Sequence, residues 1–278
     1  MVEKNITTWE DFKNALTESI TEETTYNIKN DLDATNDILT KNITCKSPYN
    51  KIFMGNDYKI NGITAYGNVT ALYTAQANNF KYRFYDIKFT NFMVESGTFT
   101  NLCRNNNEKN LFVNCFFNGV CKNFIGSVAS SKTVYFTKCS FNVRCESFGT
   151  TCSFDSCYII IEPLQNTNSF GSSSTLINSY VEGIIKNSFS SSNYLTPQFK
   201  ENNVFNCKVI ITNYSDSTTY KTYSSTAPTL INKDKLLQSD GVTPIRNTTS
   251  PSNIFFLTDE QLKNKEYIQE NTTFPLYG

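Results

Sequence analysis

The residues best suited to chemistry are four cysteines in two equally spaced pairs, Cys115-x5-Cys121 and Cys139-x5-Cys145. Four thiolates suit a tetrahedral zinc ion, and in a chain with no histidine the ligands would all have to be thiolates or carboxylates. A second set is acidic: Asp155, Glu162, Glu182 and Glu201, with Arg144 and Lys186 near them in sequence. Glycoside hydrolysis needs paired carboxylates on neighbouring elements, and lyase chemistry needs carboxylates that hold calcium beside a basic residue. A histidine base is excluded by composition. Asp155, Glu162 and Glu182 are the strongest catalytic candidates, but scattered outward charges are more often a solvated face. A third set is aromatic. Tyr135, Tyr158, Tyr180, Tyr194, Tyr220 and Tyr223 offer flat area with a polar tip, which suits a sugar or a protein partner.

The elements that must position these residues recur. Asn114-Cys115-Phe116-Phe117 returns as Lys138-Cys139-Ser140-Phe141 and as Ser156-Cys157-Tyr158-Ile159. Extended both ways, the cysteine position reads Ile87, Cys115, Cys139, Cys157, Ser179, Cys207, and two residues on it reads Phe89, Phe117, Phe141, Ile159, Val181, Val209. A second series reads Phe124, Phe148, Phe170, Phe189, in contexts such as Ser-Phe-Gly-Ser. Gaps of 18 to 28 residues with their landmarks kept indicate a solenoid. Apolar residues two apart indicate strands, and helical spacing is absent from these coils. Coil register then predicts Cys115 on Cys139 and Cys121 on Cys145, as small buried apolar groups. A zinc site and inter-coil disulfides are the competing readings, since adjacent strands lie within bridging range. No cofactor is expected.

Composition narrows the partners. The 278 residues carry no formal net charge, with a pI near 6.4, so a basic nucleic-acid face is not expected. Aromatics make up 14%, too many for a disordered chain. No apolar run is long enough for a bilayer, and Met1–Trp9 holds no apolar signal core, so folding in a cytosol is expected. Nine cysteines, mostly on the strand pattern, suggest reduced thiols. The Asn-x-Ser/Thr sequons follow from composition.

Thr8-Trp9-Glu10-Asp11 resembles a capping box, and Trp9, Phe12, Ala15, Leu16 and Ile20 keep helical spacing, so the pattern predicts a helix over 9–20. Such a helix would cover the open edge of the first coil. Strand-like segments follow at Tyr26–Ile28, Asp37–Cys45, Lys51–Met54 and Lys59–Ala65, and clear coils run from Tyr82 to about Tyr214. The expected divisions are 1–24 for the capping helix region, 25–215 for a parallel β-helix, and 216–278 for an extended tail that caps or docks. Thr258, with Gln261, opens a helix expected to end near Gln269.

The order Thr8-Trp9-x-x-Phe12-x-x-Ala15-Leu16, then short strands, then coils, resembles the start of single-stranded, right-handed parallel β-helix domains of the pectate-lyase type. The stretch from Leu257 through Gln261-Leu262-Lys263 and Tyr267-Ile268 to Phe274-Pro275 resembles the closing signature of repetitive β-solenoid surface proteins, with Thr273 where those have glycine. The resemblance covers roughly 5–215 and is one of architecture, without a catalytic signature. It implies an all-β solenoid and a structural virion protein of a bacteriophage: a fibre, spike or decoration subunit of head or tail. Such a subunit assembles in the host cytoplasm, contacts other virion proteins, binds a host surface glycan or protein, and forms a homo-oligomer, by analogy a trimer. A polysaccharide-degrading tailspike and a bacterial cell-surface adhesin are the alternatives.

Overall fold

The computed structural model describes the chain except residues 46–48, 75–81, 102–110, 127–132, 150–151, 165–169, 172–173, 187–193, 196, 213–219, 223–224, 247, 250–251 and 276–278. Two parallel sheets run side by side along its length. The narrow sheet orders Val2–Ile6, Thr24–Ile28, Lys51–Met54, Tyr82–Tyr85, Phe112–Val113, Val134–Thr137, Cys152–Asp155, Thr175–Ile177 and Gln198–Glu201. The broad sheet runs from Leu32–Asp33 through Lys59–Asn61, Lys88–Asn101, Phe116–Ile125, Ser140–Ser147, Tyr158–Pro163, Tyr180–Lys186, Val204–Ile211 and Thr229–Asn232 to Ile254–Leu257. Successive strands alternate between the sheets and pair with the coil before and after, which makes a parallel β-solenoid of about eight turns. A small third sheet joins Tyr194–Leu195, Tyr220–Thr222 and Thr248–Thr249.

One left-handed residue turns each coil from the narrow sheet into the broad one. Asp86, Asn114, Lys138, Ser156, Asn178 and Asn202 have φ between 27° and 56°. Asn and Asp tolerate this region better than other side chains, which accounts for four of the six. The corner is held from the next rung: the N–H of Asn114 donates to the Thr137 carbonyl at 2.9 Å, that of Lys138 to Asp155 at 2.9 Å, and that of Ser156 to Ile177 at 2.9 Å.

The interior is filled in columns. Phe89, Phe117 and Phe141 stack at 5.2 and 5.0 Å with planes within 8°. Phe99, Phe124 and Phe148 stack at 5.4 and 5.2 Å, and Phe170 continues this column at 5.1 Å with a tilted ring. Phe189 lies outside the described residues. A third column runs up the narrow sheet through Tyr26, Phe53, Phe84, Phe112, Phe136 and Phe154, each 4.8–5.2 Å from the next. Between columns the rings meet edge to face, as Phe117 does with Phe136 at 86° and with Phe124 at 80°. Parallel stacking along the axis and edge contacts across it are both favoured ring geometries. Gly119 is part of this fit, because the ring of Phe92 on the neighbouring rung stands 2.5 Å from where its Cβ would be.

The ends differ from expectation. The first helix covers Trp9–Thr17, three residues shorter than its pattern, with both hydrogen bonds of the Thr8/Asp11 capping box formed. Val2–Ile6, read as part of a capping region, is itself a rung, paired in register with Thr24–Ile28. Its exposed polar alternation hid it, because it lies at the sheet edge where only Ile6 is buried. Coiling also continues past residue 215. Thr229–Asn232 and Ile254–Leu257 add two rungs to the broad sheet, and Leu236–Gln238 pairs with Val209–Ile211. The helix expected from Thr258 breaks at Asn264 into Asp259–Lys263 and Lys265–Asn271.

Candidate binding face on the broad sheet

The cysteines occupy two kinds of place. Cys115, Cys139 and Cys157 follow the left-handed corner residue, and each sulfur meets a carbonyl of the preceding rung: Phe84 at 3.5 Å, Phe112 at 3.5 Å and Phe136 at 3.6 Å. Ser179 keeps that contact, its hydroxyl donating to Phe154 at 3.2 Å and to Ile177 at 2.8 Å. Asn203 keeps it again, its amide donating to Leu176 at 3.1 Å. The last step corrects the expected register. Val204, not Lys208, stands opposite Tyr180, so Asn203 and Phe205 take the places assigned to Cys207 and Val209. Cys207 lies instead opposite Gly183, inside the broad sheet. Cysteine identity misleads on this rung because the corner accepts a thiol at Cys139, a hydroxyl at Ser179 and an amide at Asn203 alike.

Cys121 and Cys145 stand opposite each other on adjacent broad-sheet rungs. Cys115, Cys121, Cys139, Cys145, Cys152, Cys157 and Cys207 are free thiols, all buried. Burial pushes Cys115, Cys121, Cys139, Cys145 and Cys207 well above the usual thiol range. Among the described residues no group of cysteine and carboxylate side chains is placed to hold a metal ion.

The acidic candidates divide between the two sheets. Asp155 ends a narrow-sheet strand and accepts from the Ser156 hydroxyl at 2.9 Å. Glu162 is on the broad sheet, opposite Arg144. Glu182 is on the next rung, opposite Ile160, with Lys186 further along its strand opposite Ile210. Glu201 ends a narrow-sheet strand.

Glu182 instead anchors a polar chain along the outside of the broad sheet. The Tyr158 hydroxyl donates to one carboxylate oxygen, and the Tyr180 hydroxyl donates to the other at 3.3 Å. The two rings stack at 5.4 Å and 14°. Asn206 donates to the Tyr180 oxygen at 2.9 Å, Asn232 donates to Asn206 at 2.8 Å and to Asp259 at 3.0 Å, and Asp259 pairs with Lys263. This chain links the solenoid wall to the C-terminal helices. The carboxylate of Glu182, then partial burial, raises the Tyr158 hydroxyl to about 12. Burial first and the Glu182 charge next raise Tyr180, against an opposing pull from Asn206.

Beside this chain, the outward column continues from Tyr158 and Tyr180 into Val204, Leu230 and Phe255. Leu257, Leu262, Tyr267, Ile268 and Phe274 close over them as a second, smaller core outside the solenoid. The expected tyrosine set therefore divides. Tyr158 and Tyr180 share the broad face, while Tyr135 is half-buried on the narrow sheet opposite Ser153. The side chains of Tyr194 and Tyr220, and all of Tyr223, lie outside the description. Strand spacing alone finds Tyr158 and Tyr180, but the roles of Asn206, Asn232 and Asp259 depend on register across the C-terminal rungs.

No helix among the described residues is long and apolar enough to cross a membrane. The chain matches no protein-family model and no curated protein sequence.

Proposed function

We propose that this protein is a structural and adhesive subunit of a bacteriophage particle, a fibre, spike or decoration protein that presents its broad sheet to a host surface glycan. The observation that carries the reading is the preformed face at Tyr158, Tyr180 and Glu182, held on an axially stacked aromatic core. Each rung satisfies the backbone of the next, and capping helices lie at the N-terminal end and along the flank, which suits a rod used outside a cell. The buried column thiols fill the core as small apolar residues, a use of cysteine that suits folding in a reducing compartment such as a host cytosol. Assembly as a homo-oligomer, with three chains as the analogue-based choice, belongs to the same reading.

Binding is favoured over cleavage by the placement of the carboxylates. Asp155 and Glu182 are on different sheets, and both oxygens of Glu182 accept hydrogen bonds from tyrosines. Mass spectrometry of particles purified from the lysed host tests the particle assignment, which predicts this chain in fixed ratio to the capsid or tail proteins. Its absence from intact particles would end that reading. Incubation of the purified protein with host capsule separates adhesion, which leaves the polymer intact, from a depolymerase, which shortens it.

A further inference from the structure

The outward column of the broad sheet reads Phe116, Ser140, Tyr158, Tyr180 and Val204 on successive rungs. Tyr158 and Tyr180 stack, so the faces of both rings look along the solenoid axis. The Tyr158 face turned away from Tyr180 therefore looks towards the Ser140 rung, where the column has a hydroxymethyl group in place of a ring. The consequence is visible in exposure: Tyr158 keeps 43% of its surface open to solvent, although a ring neighbour covers one side. Two rungs separate Phe116 from Tyr158, about 9.6 Å, which is the spacing for one inserted ring at about 4.8 Å from each. The inner columns, by contrast, carry an apolar side chain on rung after rung, as Phe89, Phe117, Phe141, Ile159 and Val181 do.

We infer that the gap at Ser140 is a binding slot for a single pyranose ring, with Tyr158 as its stacking platform. The inference rests on the adhesive half of the proposed function. A pyranose has apolar C–H faces for the ring above and a perimeter of hydroxyls. The perimeter of the slot is polar to match: Ser140 forms its floor, Asn142 lies exposed two residues on and on the same side of the strand, and Lys138 lies exposed at the corner before it. An aromatic side chain of a protein partner has the thickness to enter, but its edge offers these groups nothing to bond. The platform is preorganised, because Glu182 fixes the Tyr158 hydroxyl and Tyr180 supports the ring from behind. Little ordering cost then remains for binding to meet.

Saturation-transfer NMR on the intact chain tests this, with methyl β-glucopyranoside, methyl β-galactopyranoside and methyl α-mannopyranoside as probes. At least one is expected to bind with a Kd on the order of millimolar, with transfer concentrated on the C–H protons of one ring face. Ser140→Phe completes the ring column and is expected to abolish transfer while keeping the thermal midpoint, since Phe116 and Tyr158 already place rings on this column. Tyr158→Ala is expected to weaken binding at least about tenfold, whereas Tyr158→Phe retains most of it. No transfer from any of the three sugars, or undiminished transfer in Ser140→Phe, overturns the slot. So does N-acetylphenylalaninamide binding there in place of all three. Detection in purified particles is a separate measurement, so failure here leaves the particle assignment standing.

Discussion

The ammonium of Lys51 lies 2.6 Å from the carbonyl oxygen of Glu18, at the end of the N-terminal helix. It also donates to the carbonyls of Ala15 and Leu16 at 2.7 and 3.1 Å, and its residue is 0% exposed. The last carbonyls of a helix have no intrahelical donor and carry the negative end of its dipole, so a buried cation there satisfies both. Lys51 holds a rung position between Thr24 and Tyr82, which makes the solenoid wall the seat of the cap. Lys51→Met keeps the apolar stem and removes the donor. It is expected to cost about 3 kcal/mol and to release the helix before the coils. Trp9, the only tryptophan, reports the helix, and far-ultraviolet circular dichroism reports the sheets. Coincident, unshifted transitions in the variant would show that the cap does not depend on Lys51.

The two classes of cysteine should respond oppositely to the same change. Cys139 sits at a corner where the sulfur contacts the Phe112 carbonyl at 3.5 Å, and the equivalent place at Ser179 already holds a hydroxyl. Cys139→Ser should therefore shift stability by less than about 1 kcal/mol. Cys145 is inside the broad sheet, where no hydrogen bond among the described residues reaches its sulfur. Cys145→Ser buries a hydroxyl without a partner and should cost about 2 kcal/mol or more. Equal penalties in thermal denaturation would show that the corner carbonyl contributes nothing.

Columns Phe117/Phe141 and Phe124/Phe148 were legible because ring type and spacing recur together within one sequence window. The column from Tyr26 to Phe154 was not, although it is as regular. Its rings sit in strands of two to five residues, too short to show an alternation of their own, although Phe84, Phe112, Phe136 and Phe154 each stand three residues before Ile87, Cys115, Cys139 and Cys157. Position along an axis is a property of register, and register slips where loops change length, as it did at Cys207. The candidate site was legible as a set of outward tyrosines and acids. Its connectivity was not, because Glu182 could equally have faced Glu162 or solvent. Only pairing with Ile160 on one rung and Asn206 on the other directs it to the tyrosines. Lys51 was hidden for a simpler reason, since a lysine at a strand end is ordinarily solvated.

The Tyr158–Glu182 hydrogen bond predicts a stability slope in alkali. The Tyr158 hydroxyl is raised from 10.0 to about 12 in the folded chain, so folding favours its protonated form. Its contribution is whole below pH 10 and is lost as pH rises towards about 12. Tyr26 and Tyr180 are raised too, so the comparison must isolate one group. Tyr158→Phe should lose the part of the slope that belongs to this pair and remove one late-titrating phenolate from the absorbance titration at alkaline pH. Loss of a phenolate from the ordinary range near pH 10, with the late-titrating step kept, would mean that Tyr158 ionises at its ordinary value and that its ring is not tethered.

A chain ended at Leu257 should keep the solenoid and lose only its outer cover. The inner columns draw on no residue beyond that point, whereas Val204, Leu230 and Phe255 are covered from outside by Leu262, Tyr267, Ile268 and Phe274. The truncated protein is expected to retain its sheet signal in circular dichroism, to bind an apolar dye, and to self-associate through the uncovered strip. Thr258→Ala is the milder form of the same test. It removes the hydroxyl that accepts from the Gln261 N–H at 3.0 Å and should cost about 1 kcal/mol, loosening the helices without exposing the whole strip. Truncation that unfolds the coils instead would make the helices part of the fold's nucleus. Truncation that leaves a dye-silent monomer would mean that the outer cluster does not shield this face in solution.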